Sequence, residues 1–433
     1  MKKTLKYFMG TVVFALLSVN FYSCDEIEGN LGDDNGNVSK GDTVWIYHID
    51  NPDFRISDRP LALGKDGAVY FEAIPVVPDK KVRVYAINPS GELKWKTGPL
   101  SDTQLSGNIV VGDDGTIYCT SGMFLYSINP VDGEINWTWE CPKTITIDGV
   151  DWNSYGTLRG LALTNSGNVV FQTQGAIAGM VEALFCVDPS GEERWYSLRQ
   201  NTRANQITVG ADGMIYSYGT LFDKKLKNRT DYLIITNPQN GNIEKLIEGC
   251  PVNDAVYTTF VGNGDFVEAI NDSVICFNKE NYSVRWQFPL QGPITFPYCI
   301  LTDDKGNTFI APPMYVVGSD ETGNLGNMDA VSFPIYGVVE NSGNITGGNS
   351  SVFEYLKTTD KSGNEMWKNE NMYIYSKSIL ISNNVLYCTD LYNYNFDTGA
   401  DKLYALRWDA SMSKGGWPRI SHDNRNTCNF NKW

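Results

Sequence analysis

Two histidines, His48 and His422, are all the imidazole that this 433-residue chain holds. A catalytic triad or a zinc site built on histidine therefore has almost nothing to work with. Carboxylates offer more. Asp148, Asp151, Glu182 and Asp390 fall in connections between apolar stretches, where two at the right separation could cleave a glycosidic bond. Asp113-Asp114-Gly115 and Asp303-Asp304 look like calcium-loop or Asp-box fragments. Asp-Gly between apolar stretches is more economically a hairpin turn, because Gly accepts positive φ and Asp can bond its own backbone. Phosphate loops, Cys-x-x-Cys pairs and nucleophile elbows do not occur. The expectation is no metal and no cofactor.

Aromatic side chains suit binding better than bond-making. Trp152, Tyr155, Tyr315, Tyr336, Tyr392 and Tyr394 lie in connections of uneven length, beside Phe222, Phe333 and Phe396. Rings of this kind give a sugar or peptide an amphipathic plate at small entropic cost. The competing reading is that they pack the loops onto the structure beneath. The six Trp and Tyr residues are the candidate binding surface.

The elements that must position them come from a repeated phrase. Asp113-Asp114-Gly115-Thr116-Ile117-Tyr118 is followed by Leu125-Tyr126-Ser127-Ile128-Asn129-Pro130, then by Gly133 and Trp137. The same wording runs from Lys65 to Trp95, Asn165 to Trp195, Ala211 to Lys245 and Asn263 to Trp286. It runs again from Asp304 to Trp367 across a long insertion, and from Asn383 to Leu406. Seven copies of four short strands predict a β-propeller, since one such sheet cannot bury both faces alone. The interval from Ala311 to Ser351 is long enough to hide an eighth. Trp95, Trp137, Trp195, Trp286 and Trp367 are expected in equivalent buried places between blades, with Lys245 at the weakest junction.

In Ala86-x-Asn88-x-x-Gly91-x-x-x-Trp95 this wording resembles the pyrroloquinoline-quinone-like, or quinoprotein-type, propeller family, over roughly Asp42 to Trp433. It also resembles the propeller lipoproteins of outer-membrane barrel assembly. The resemblance implies the fold and leaves function open, because propellers host enzymes, receptors and scaffolds. The quinone-dependent dehydrogenases of this kind carry an adjacent cysteine pair, and no two of the nine cysteines here are neighbours. Cys186 and Cys276 share a repeat position with Ala86 and Ser127, which reads as close-packed core.

Strand alternation sorts the connections. The Asp-Gly and Asn-Pro-x-Gly turns share one face, and all are tight. The variable connections and their aromatics share the other, as expected of loops that bind on a rigid scaffold. Trp45 precedes the first Asp-Gly turn and the last unit offers three strands ending at Arg407. The N-terminal strand should therefore complete that unit and remove its open edge. The tail from Gly416 to Thr427 is similar to a terminal segment of the family and reads as a clasp.

Ahead of this lies a basic start, Lys2, Lys3 and Lys6, then an apolar run through Leu17 and a Ser23-Cys24 pair. The run is a secretory signal, and Cys24 resembles the lipidated cysteine of bacterial lipoproteins. The organisation expected is a signal peptide over 1–23, an acidic tether over 24–41 and a propeller over 42–433. Without its signal the chain loses three lysines, and its charge goes from −15 to −18. That balance repels nucleic acid and anionic lipid heads. The leading expectation is an outer membrane lipoprotein, on the cell surface or the periplasmic side. It would be a monomer or part of an envelope complex, non-enzymatic, and would offer its loop face to a protein or glycan. The alternative is a carbohydrate-active enzyme using carboxylates on the same face.

Overall fold

A computed structural model of the chain describes residues 39–154, 156–175, 181–200, 207–225, 230–248, 258–270, 273–289, 299–311, 337–348, 355–390, 400–415, 418–419 and 422–432. All fall in one compact unit, Val38–Trp433. Cys24, Tyr155, Cys250, Tyr315, Tyr336, Tyr392, Tyr394 and Trp417 lie outside the described residues.

Every regular element among the described residues is a strand. Antiparallel sheets follow one another along the chain, with five strands over 54–96 and four each over 110–140, 156–200, 207–248 and 259–289. The third and fourth of these are joined edge to edge where Arg199 and Gln200 pair with Leu221 and Thr220. Each sheet begins beside the Asp-Gly or equivalent turn that the repeat supplies. Gly67, Gly115, Gly167, Gly213 and Gly264 all have positive φ there, a conformation that costs glycine little. Strand Thr43–His48 pairs antiparallel with Lys402–Arg407, Trp45 opposite Ala405. The N-terminal strand thus does sit at the edge of the last sheet.

The tryptophans explain the letters of the repeat. Each lies on the fourth strand opposite a small third-strand residue: Trp95 with Ala86, Trp137 with Ser127, Trp195 with Cys186, Trp286 with Cys276 and Trp367 with Thr358. The ring then reaches the following sheet. The indole Nε1 of Trp45, Trp95, Trp137 and Trp195 donates to the carbonyl of Pro89, Pro130, Pro189 and Pro238, respectively, at 2.9–3.0 Å. The ring face lies on the next turn's glycine. A Cβ on Gly133 would stand 2.6 Å from the Trp95 ring, so no larger residue fits. Trp367 meets Gly41 in the same way, which places the N-terminal strand in the same relay. Only Trp95 is fully buried, at 7% exposure. The other four are half-buried because the fourth strand is the outermost and leaves one ring edge to solvent.

Two expectations change. The turn at Asp303–Gly306 belongs to the pair Cys299–Thr302 and Thr308–Ala311. Trp367 belongs to a separate sheet, which begins at Val338–Val339 and has its own turn at Glu340–Gly343. What reads as one interrupted unit is two sheets. Nor is the Lys245 junction bare. The next sheet carries Tyr282 where the repeat has glycine, with φ +59°. Tyr282 packs beside Phe266 at 6.2 Å between ring centroids. One side has lost its ring and the other has gained one.

The core is correspondingly divided into apolar clusters between sheets. Cys119, Cys141, Cys186, Cys276, Cys388 and Cys428 are free and buried in them. Burial pushes the thiols up, Cys186 and Cys276 to about 12, as expected of packing residues.

Candidate functional site

The variable connections include an element the repeat does not supply. Thr144–Ile147 and Val150–Asn153 form a two-stranded hairpin between the 110–140 and 156–200 sheets. Its turn is Asp148-Gly149, with φ +50° and +78°, the geometry of a type I′ turn. The sequence carried that signal in Thr-Ile-Thr-Ile-Asp-Gly-Val-Asp-Trp-Asn, an Asp-Gly between alternating stretches.

Trp152 stands on this hairpin, half-buried and edge-on to Phe222 at 5.5 Å. Lys224, two residues further on, makes an ion pair with Asp148. The hairpin therefore reaches across to the connection Leu221–Lys225 of the 207–248 sheet. Its base is held on both sides. Cys141 N donates to Met123 O, Ser154 N to Lys143 O, and Val181 N to Asn153 O, at 2.9–3.0 Å. Val150 projects beside the turn, 57% exposed. Trp152 is thus partly a packing residue, whereas Val150 leaves an apolar side chain exposed on this connection.

The four carboxylates are divided among separate elements. Asp148 faces Lys224, and Asp151 accepts from Thr146 Oγ1 at 2.6 Å, both on the hairpin. Glu182 is buried at the start of strand Glu182–Val187. Asp390 ends strand Val385–Asp390 in the sheet that also holds the N-terminal strand. Burial and the neighbouring Asp401 raise Asp390 to about 6, against the pull of Lys402. Among the described residues no cluster of metal-binding side chains occurs.

The tight-turn face is organised differently. The chain's tail runs past the inner strands in order. Val339, Leu63, Val111, Leu163 and Val209 donate their backbone N–H groups to the carbonyls of Pro418, Asn424, Arg425, Thr427 and Cys428, at 2.7–2.9 Å. Phe430 N returns a bond to Val209 O. Buried polar side chains tie it further. Asn426 Nδ2 donates to the carbonyls of Leu61 and Ile109, and Arg419 to those of Leu61 and Asp423. Asp423 accepts from Arg425 N, Thr427 N and Thr427 Oγ1. Charges secure the end, with Arg425 and Lys432 both on Asp113. The clasp reading of His422 and Asp423 fits this burial: both are 1% exposed or less.

Short antiparallel sheets that hand a tryptophan from one to the next define a β-propeller. A family model described as outer membrane protein assembly factor BamB matches residues 80–297, just over half of the chain. The chain belongs to that family. No match is found among curated protein sequences. Among solved structures, BamB from Moraxella catarrhalis is similar over 85% of this chain and 97% of its own, with TM-score 0.52 and 13% identity. The Dos1 propeller is similar over 85% of this chain and 95% of its own, with TM-score 0.53 and 10% identity. At these identities the likeness is one of fold.

Proposed function

We propose that the chain is an exported, lipid-anchored propeller that presents its variable-loop face to a protein partner in outer-membrane protein assembly. The observation that carries the reading is the asymmetry of the two faces. The tail occupies the inner strands on the tight-turn side, bonded to five of them in turn. The opposite side carries the added hairpin, with exposed Val150 and the Trp152–Phe222 pair. Membership in the BamB family supports the partner class. In this reading Cys24 is the lipidated residue, residues 24–41 are the tether, and eight blades close on the N-terminal strand. The division of 299–369 into two sheets supports the eighth. In the same reading Tyr155, Tyr315, Tyr336, Tyr392 and Tyr394 are assigned to that face by their sequence positions in the variable connections.

The test is direct binding to the soluble periplasmic domains of the same cell's outer-membrane barrel assembly protein. Val150→Asp should weaken binding by roughly 1–3 kcal/mol, as for a residue near the centre of an interface, and leave the melting temperature unchanged. Unaltered affinity in that variant would count against the face. Cys24→Ala should abolish partitioning into detergent, and normal partitioning would remove the anchor.

A further inference from the structure

The junctions on the tight-turn face are built alike but not filled alike. Between the 54–96 and 110–140 sheets, Lys94 lies over the groove, held by an acid of its own sheet and by a carbonyl of the next. It donates to Asp66 at 2.6 Å and to the Pro130 carbonyl at 2.7 Å, and Lys65 reaches the Asp113 carbonyl beside it. Between the 156–200 and 207–248 sheets the same repeat places hold Arg194, Ser166 and Asn165. Ser166 stands where Asp66 does and carries no charge to hold Arg194 over the groove, and Arg194 pairs instead with Asp188. Asn165 Oδ1 is occupied by Asn429 and Asn431 of the tail. The groove left open has a volume of about 530 Å³, within the size range of small-ligand sites.

The lining has a consistent chemistry. Trp195, whose ring rests on Gly241 and whose Nε1 is fixed on Pro238, forms part of the wall. Ser166, Asn168 and Gln239 add hydroxyl and amide groups. Arg194 on one side and Asp212 on the other leave no excess of either sign. A rigid aromatic wall with neutral donors and acceptors suits a ligand with an apolar face and many hydroxyls. We infer that this groove is a saccharide-binding site, separate from the loop face proposed for the protein partner.

The test titrates the full chain with cellohexaose, maltohexaose and xylohexaose by calorimetry and tryptophan fluorescence. Ser166→Asp supplies the acid that Asp66 supplies in the closed groove. It should compete with Asp188 for Arg194, hold that side chain over the groove and weaken binding by at least about tenfold, with the melting temperature unchanged. Gln239→Ala, at an exposed position, should weaken binding without closing the groove, and Val150→Asp on the other face should not alter it. Saturable binding of any of the three sugars with this pattern supports the site. The inference is overturned if no sugar saturates, if Ser166→Asp and Gln239→Ala both bind like the parent, or if Val150→Asp removes binding equally.

Discussion

Glu268 shows how single side chains set the conditions under which this fold is stable. It is fully buried, with a carboxylate oxygen accepting from Tyr218. Desolvation raises it to about 7, against the bonds from Thr258 and Tyr218. A carboxyl whose folded value exceeds its unfolded value, about 4.3, holds more protons in the folded state between those two pH values. Stability must therefore fall as pH rises through that window, and the cost is full above pH 7. Glu268→Gln should melt higher than the parent at pH 8 and equal to it near pH 4, read by thermal unfolding across that range. A parallel displacement at every pH would mean that ionisation is not the cause. Tyr282 gives a second residue-scale test. Lys245→Trp alone should destabilise by placing two rings at one junction, and Lys245→Trp with Tyr282→Gly should restore the parent's stability by rebuilding the common pair. Chemical denaturation of the single and double variants measures this coupling.

At the scale of elements, the wedge between sheets is the unit that the sequence spelled out. Trp95→Ala should cost about 3–5 kcal/mol in denaturant unfolding, the range for a buried tryptophan. A cost below 1 kcal/mol would deny the wedge its role. Gly, Pro and Trp were legible in this phrase because each is tied to a backbone or packing demand that few other residues meet. Positive φ fixes Gly133, close approach to Trp95 forbids it a Cβ, and the Pro130 carbonyl receives the indole. Less was legible where those letters change. The sheet at 338–369 turns on Glu340-Asn341-Ser342-Gly343, without the Asp-Gly wording, and so was merged with the turn at Asp303–Gly306. The Lys245–Tyr282 exchange was missed because each half of a compensation lies in a different repeat. The hairpin at 144–153 carried its Asp-Gly signal, but the repeat gave no reason to expect a fifth and sixth strand there. Of the candidate surface, Trp152 was legible as an aromatic in a variable connection, while its contact with Phe222 depends on tertiary structure that no local pattern encodes.

For the whole molecule, the two chain ends do complementary work. The N-terminal strand completes the last sheet, and Trp45 passes on to Gly91 of the first. The tail then joins inner strands that are far apart in sequence. The account's central claim is that this leaves the loop face, with its hairpin, as the surface that meets a partner. A photo-crosslinking residue placed in whole cells at Val150, and in a second strain at Asp114 in an exposed tight turn, tests that claim most directly. The account predicts an adduct with an outer-membrane assembly protein from position 150 and none from position 114. Adducts from 114 with none from 150 would contradict it.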